Sequence, residues 1–202
     1  TLAAAASPTI AGWAGAALFD LTDAANESHD AVDGSSGSLA DRPIGIIDTL
    51  TPPANPASFL TEWNNRSYGA SALVRDFVHH GQLPDDTNEP NDSAAEAADL
   101  GTAGVRRTGL TLNQFNEDWY SVTVPEAVDA FYVDVSYNRA VGNAVIALEV
   151  RTVQGGVLAV GTTESATSAY RAITPPVPAG PLLVRIAHVS GGTISDYTMQ
   201  AY

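Results

Sequence analysis

A two-residue alternation of apolar and polar side chains recurs through the second half of the chain. The alternating runs are residues 119–124, 131–137, 146–151, 182–186 and 197–201. This period places successive side chains on opposite faces of a strand. Turn-forming segments separate most of the runs: Asn138–Gly142, Gly155–Gly156, Pro175–Gly180 and Gly191–Gly192. Short alternating strands at this spacing predict an antiparallel β-sandwich.

The first 80 residues follow a helical period instead. Apolar residues recur at steps of three and four over 10–21, and shorter helices are predicted at 43–50, from Ser58 to Trp63 with Ser58 as the cap, and at 69–80. Residues 30–41 are rich in Gly, Ser and Asp and predict a loop. The fold class is therefore α+β, a short helical N-terminal half followed by a jelly-roll-like sandwich. The expected domains are 1–82 and 93–202, joined by an acidic, proline-containing linker at 83–92.

Composition narrows the class of protein. Nine basic residues, all arginine, stand against 23 acidic ones, and the net charge of −14 argues against nucleic-acid binding. No apolar run reaches the roughly 20 residues of a membrane span, and cysteine is absent. The only methionine is Met199, which predicts that the chain is a piece of a larger protein. The absence of Lys, together with many small polar residues, favours a secreted or cell-surface location.

Three segments carry a resemblance to a known family. They are EPNDSAAEAADLG at 89–101, NEDWYSVTV at 116–124 and DYTMQAY at 196–202. Residues 88–202 resemble the bacterial pre-peptidase C-terminal domain, a β-sandwich that follows the catalytic domains of many secreted proteases. Asn116 departs from the family pattern, in which an aspartate is common at that position. The resemblance implies a non-catalytic accessory module.

The polar residues of these segments form the candidate site, comprising Glu89, Asn91, Asp92, Asn116 and Asp118. Oxygen ligands of this kind suit calcium, which some members of the family bind. The alternative is that Asn91, Asp92 and Asp118 cap turns and a short helix through hydrogen bonds to the backbone. Trp119 and Tyr120 are both expected to fill the core.

Residues 10–81 resemble the C-terminal tail of a secreted zinc-peptidase-like catalytic domain. The matching segments are Ala11–Asp23, Ile44–Leu50, Phe59–Trp63 and Ala70–His80. The zinc-binding pattern H-E-x-x-H does not occur in the chain.

The histidines offer no substitute for the zinc motif. His79 and His80 are adjacent and point about 100° apart on a helix, so they favour a helix end over a shared metal. His29 lies in a predicted solvated loop, and His188 is predicted to be structural within a strand. We therefore expect no catalytic residues and no catalysis by this chain alone.

Three hypotheses for function follow. The first is a non-catalytic extracellular module, the accessory, binding or attachment region of a secreted peptidase-like precursor. The second is a processed structural subunit of an extracellular filament or sheath that self-associates through edge strands. The third is part of a cleaved zinc metallopeptidase whose catalytic half is a separate chain. Each implies a protein partner or self-association, and glycosylation sequons begin at Asn26, Asn65 and Asn91.

Overall fold

The computed structural model describes residues 55–68, 70–79, 83–140, 143–163 and 169–202. The chain divides into two compact units, Thr1–Pro84 and Asp85–Tyr202. The helices predicted at 10–21 and 43–50 and the loop predicted at 30–41 lie outside the described residues.

Two helices are described in the first unit, α1 (Pro56–Asn65) and α2 (Ser71–His79). Helix α1 begins with a capping box, in which two residues bond to each other's backbone. The Asn55 side chain accepts a hydrogen bond from the Ser58 N–H at 2.9 Å. The Ser58 hydroxyl accepts one from the Asn55 N–H at 3.0 Å. The predicted cap at Ser58 is therefore wrong. Pro56 starts the helix, since it tolerates the first helical position, and it moves the cap back to Asn55.

An aromatic cluster holds these helices together. The ring centroids of Phe59 lie 5.9 Å from those of both Trp63 and Phe77, and all three side chains are buried. Leu73 and Val74 of α2 are buried as well. Among the described helices, none is both long and apolar enough to cross a membrane.

The second unit contains ten strands in two five-stranded sheets. They are β1 (Ala98–Thr102), β2 (Val105–Leu112), β3 (Glu117–Val124), β4 (Tyr132–Tyr137), β5 (Val145–Thr152), β6 (Val157–Val160), β7 (Thr162–Thr163), β8 (Ala169–Ile173), β9 (Gly180–Ser190) and β10 (Ile194–Ala201). The strand orders are β1-β3-β9-β5-β6 and β2-β10-β4-β8-β7. Of the paired strands described, only β1 and β3 run parallel. Without β1 and β7, the remaining eight strands follow the order of a jelly roll, so the predicted sandwich is confirmed.

The core lies between the two sheets and follows the predicted alternation. The inward residues of the five predicted strands are all buried: Tyr120, Val122, Val124, Phe131, Val133, Val135, Tyr137, Ile146, Leu148, Val150, Leu182, Val184, Ile186, Tyr197, Met199 and Ala201. Tyr120 fills the core as expected. The same expectation for Trp119 is wrong, because the two-residue period places its ring on the opposite, outer face of β3, where it is half-buried.

The acidic segment before β1 is bonded into this sandwich. The Asp86 carboxylate accepts a 2.7 Å hydrogen bond from the Thr111 N–H in β2. The carbonyl of Asn91 accepts a 2.8 Å bond from the Trp119 N–H in β3. Residues from Asp85 onward therefore belong to the second unit rather than forming a free connection along the whole of the predicted 83–92 linker.

Candidate functional site

Two of the three segments that carry the family resemblance, 89–101 and 116–124, meet at the start of β3. The bond from the Trp119 N–H to the Asn91 carbonyl places the first motif against the second. Within the first motif, the Asn91 N–H donates to Glu89 Oε2 at 2.9 Å. These hydrogen bonds thus hold Asn91, and through it the Glu89 carboxyl, beside Trp119, the residue that follows Asp118.

The Asp118 side chain is fully buried, and only one of its two carboxylate oxygens has a hydrogen-bond partner. Its Oδ2 accepts a 2.5 Å hydrogen bond from the hydroxyl of Tyr197, which in turn lies 2.6 Å from the hydroxyl of Tyr120. Its Oδ1 has no hydrogen-bond partner. Burial raises the pKa of Asp118 well above its usual range, and the nearby charge of Glu89 raises it further. A buried carboxylate oxygen without a partner is costly unless a proton or a cation satisfies it.

The Glu89 side chain is less deeply buried than that of Asp118. Burial raises the pKa of this half-buried carboxyl to about 8, although the hydrogen bond from the Asn91 N–H opposes the shift. The neighbouring carboxylates of Asp92, Asp85 and Asp86 raise it further, since like charges disfavour another anion. This part of the sandwich therefore brings several carboxyl groups together where burial favours the protonated, neutral forms of Glu89 and Asp118.

The side chain of Asn91 lies between Glu89 and Tyr120. It is buried and is a hydrogen-bond partner of the Tyr120 hydroxyl. The orientation of its amide that satisfies its neighbours directs Nδ2 to Glu89, with distances of 3.1 Å to Oε2 and 3.3 Å to Oε1.

The structure brings four of the five predicted residues into one electrostatic cluster: Glu89, Asn91, Asp92 and Asp118. Asp92 is partly buried and raises the pKa of both Glu89 and Asp118. Asn116 is buried, and its backbone bonds run to Asn113 and to the His188 N–H.

Three members of the cluster were missed by the sequence interpretation: Asp86, Tyr120 and Tyr197. For Asp86, the available sequence signal was the pair of adjacent aspartates Asp85 and Asp86. The alternating pattern showed only that both tyrosines face inward.

Carboxylate oxygens are ligands of the kind that a hard cation such as calcium takes, and the unpartnered Oδ1 of Asp118 is the atom that such an ion would satisfy. In the described part of the chain, no three His, Cys, Asp or Glu side chains are grouped closely enough to hold a metal ion by themselves. Water would therefore have to complete the coordination.

Two carboxylates near the cluster accept hydrogen bonds from backbone N–H groups. Glu89 accepts from the Asn91 N–H, and Asp86 accepts from the N–H groups of Asn88 and Thr111. The partner of Asp118 is a side-chain hydroxyl rather than a backbone group.

A charged layer covers the outer face of the sheet that contains β3. Arg185 donates to both Glu117 and Glu149, and Arg151 pairs with Glu149 at 2.7 Å. The guanidinium carbons of Arg151 and Arg185 lie 5.7 and 5.8 Å from the ring centroid of Trp119. The hydrogen bond from Arg185 lowers the pKa of the Glu117 carboxyl. These opposite charges compensate one another and stabilise the sheet surface.

His188 lies in β9, at the strand position that the sequence predicted. Its Nδ1 accepts a 3.3 Å hydrogen bond from the Phe115 N–H, which requires an unprotonated nitrogen. Burial lowers the pKa of this imidazole. The contact ties the turn before β3 to β9, which is a structural role.

The two described sequons differ in accessibility. Asn65 is exposed at the end of α1, whereas Asn91 is buried in the cluster. A glycan on Asn91 is incompatible with its packed position. The sequon at Asn26 lies outside the described residues.

The chain is similar in structure to the pre-peptidase C-terminal domain of a collagenase from Bacillus anthracis, with 13% sequence identity and a TM-score of 0.43. The match covers 52% of this chain and 96% of that domain. No protein-family model matches the sequence, and no curated protein matches it.

Proposed function

We propose that residues 88–202 form a non-catalytic accessory module of the pre-peptidase C-terminal kind, within a secreted peptidase-like precursor, and that the module binds calcium. The observation that carries the proposal is the meeting of its two sequence motifs. Asn91 of the first motif is hydrogen-bonded to Trp119, next to Asp118 of the second, and Asp118 retains an unpartnered buried oxygen. A calcium ion would satisfy that oxygen and neutralise the surrounding carboxylates.

The role of the module is attachment or binding rather than hydrolysis. In the described residues of the sandwich, the buried carboxylate is bonded to core tyrosines and the exposed charges of the β3 sheet compensate one another. Neither arrangement presents a nucleophile and a general base to a substrate. The purified chain is expected to leave peptide substrates intact. Hydrolysis that a chelator abolishes would contradict this role.

The precursor hypothesis and the cleaved-metallopeptidase hypothesis differ in what accompanies the module in the native protein. The precursor hypothesis expects a peptidase-like segment encoded upstream of Thr1 in the same gene. Native material that carries a second, H-E-x-x-H-containing polypeptide would instead favour the cleaved metallopeptidase. Intact-mass measurement of the secreted protein distinguishes the two.

A filament or sheath subunit is the second candidate, and strand β6 favours it. This strand pairs only with β5, so its other edge is open among the described strands. Its residues carry no charge, and Val157 and Val160 are 48% and 60% exposed. Uncharged edges of this kind pair with other strands. Concentration-dependent assembly that Val160→Lys abolishes would support it, whereas a monomer at high concentration would oppose it.

A further inference from the structure

We propose that strand β6 pairs with the β6 strand of a second copy of this chain, antiparallel across a two-fold axis, and that this contact closes a dimer. The dimer depends on the edges of the two sheets and not on calcium binding. It uses the same edge as the filament or sheath subunit, but association stops at two copies.

Strand β6 directs backbone hydrogen-bonding groups to its open edge. The Gly161 N–H donates to the Leu148 carbonyl of β5 at 2.7 Å. Val160 stands one position earlier, opposite Glu149, and neighbouring residues of a strand direct their backbone groups to opposite sides. The N–H and carbonyl of Val160 therefore face away from β5, toward the edge on which no other described strand is paired.

The side chains around this edge are uncharged and partly apolar. Residues 153–163 contain no Asp, Glu, Lys, Arg or His. Val153, Val157 and Val160 are 48%, 48% and 60% exposed, so three valines of the β5–β6 hairpin lie in water. Removing apolar surface from water favours association, and the charge that would prevent pairing at an edge strand is missing from this segment.

Strand β1, at the opposite edge of the same sheet, is protected against pairing. The exposed Asp99 carboxylate accepts a 2.8 Å hydrogen bond from the Gly101 N–H. Arg107 donates to the Leu100 carbonyl at 3.3 Å. A register shift between β1 and β3 accompanies these bonds. Side chains that occupy backbone groups, an irregular register and an exposed charge all hinder the addition of another strand.

The edges of the second sheet are blocked as well. In β2, the Thr111 N–H donates to the Asp86 carboxylate at 2.7 Å, so the segment before β1 covers this part of the edge. The same strand carries the charges of Arg106 and Arg107. Strand β7 has only two residues, which is too short to form a ladder of its own. Among the described strands, β6 is therefore the one open edge.

A second copy fits this edge better than a charged partner does. The chain has a net charge of −14, but the edge carries none, so two copies can meet there without placing like charges in contact. Identical edges that pair across a two-fold axis satisfy each other's N–H and carbonyl groups, and this is the commonest symmetry of homo-oligomers. A filament needs two complementary surfaces on each copy. One open edge gives a closed dimer.

Sedimentation velocity of the full chain over a wide concentration range tests the pairing. The wild type is expected to shift from monomer to dimer, with no larger species. Val160→Lys brings like charges together at the edge and is expected to raise the dissociation constant about tenfold or more. Val189→Lys is the matched control, because Val189 is 59% exposed but its strand β9 is paired on both sides. It should dimerise as the wild type does.

Val160→Pro tests the backbone contact separately. Proline removes the N–H that faces the open edge and leaves the hydrogen bonds to β5 in place, and edge strands are where proline is tolerated. It is expected to weaken the dimer as Val160→Lys does, with thermal unfolding confirming that both variants fold. Raising NaCl to about 0.5 M screens the repulsion between two acidic chains, so the wild-type dimer should tighten.

Three outcomes would overturn the dimer. A wild type that stays monomeric at its highest soluble concentration would do so and would leave the calcium-binding module untouched. A dimer that persists unchanged in Val160→Lys or in Val160→Pro would place the contact away from the β6 backbone. Growth beyond two copies that Val160→Lys abolishes would favour the filament or sheath subunit instead.

Discussion

The hydroxyl of Tyr197 in β10 donates a 2.5 Å hydrogen bond to Asp118 in β3, across 79 residues of sequence and from one sheet to the other. A polar bond therefore crosses a core formed by Val, Leu, Ile, Ala, Met and aromatic side chains. The bond links Asp118 of the candidate site to Tyr197 in the middle of the sandwich. A substitution at either residue is therefore expected to affect the other.

The pH dependence of stability is the first prediction. The pKa of Glu89 is about 8 in the folded protein against an ordinary value of 4.5. Between these values the folded state holds a proton that the unfolded state has lost, so the calcium-free protein loses stability as pH rises from about 5 to 8. Glu89→Gln should remove this component. The measurement is urea unfolding in a chelator at several pH values.

Glu126→Gln serves as the control for that series, because Glu126 is exposed in the turn after β3. Its pH profile should follow the wild type. If Glu89→Gln also follows the wild type across this range, the raised pKa of Glu89 is refuted.

The charged layer on β3 gives a second prediction. Arg185→Ala removes hydrogen bonds to Glu117 and Glu149 and a contact with the Trp119 ring. Because these groups are partly exposed, the expected loss is about 1–2 kcal/mol of unfolding free energy. Arg106→Ala, at an exposed position of β2, should change it by no more than about 0.5 kcal/mol. Equal effects in chemical denaturation would show that the layer adds nothing.

A third prediction concerns Gly161, which lies between β6 and β7. A Cβ atom at this position would lie 2.7 Å from Leu148 Cβ in the core. Gly161→Ala should therefore cost about 1–3 kcal/mol through overpacking. Gly156→Ala is the control, since its Cβ would approach nothing closer than the Thr152 hydroxyl at 3.3 Å. Similar thermal unfolding of the two variants would contradict the close packing of Gly161.

Periodicity predicted the strands whose side chains alternate cleanly, and it failed where they do not. In β2, three consecutive residues are buried, Leu110, Thr111 and Leu112, and the pairing with β10 shifts register there. Strand β6 has four residues and β7 two, which is too short for a period to emerge. These strands could be located only through their partners.

The residues of the candidate site could be predicted from the sequence, but the hydrogen bonds between them could not. The segments that carry the family resemblance pointed to Glu89, Asn91 and Asp118, which the fold places in one electrostatic cluster. The bonds that determine their behaviour come from Tyr197 and from the fold-dependent burial of Asp118. Contacts between residues this far apart depend on the strand order, which local sequence patterns do not contain.

Thermal unfolding with and without calcium tests the account most directly. The melting temperature of the wild type is expected to rise with CaCl₂, by about 10 °C at a calcium concentration near 100 times the dissociation constant. Asp118→Asn should lose that rise, and Asp92→Asn, at a less buried position, should reduce it in a protein that still folds. A wild-type melting temperature that is identical in millimolar CaCl₂ and in chelator would contradict the account.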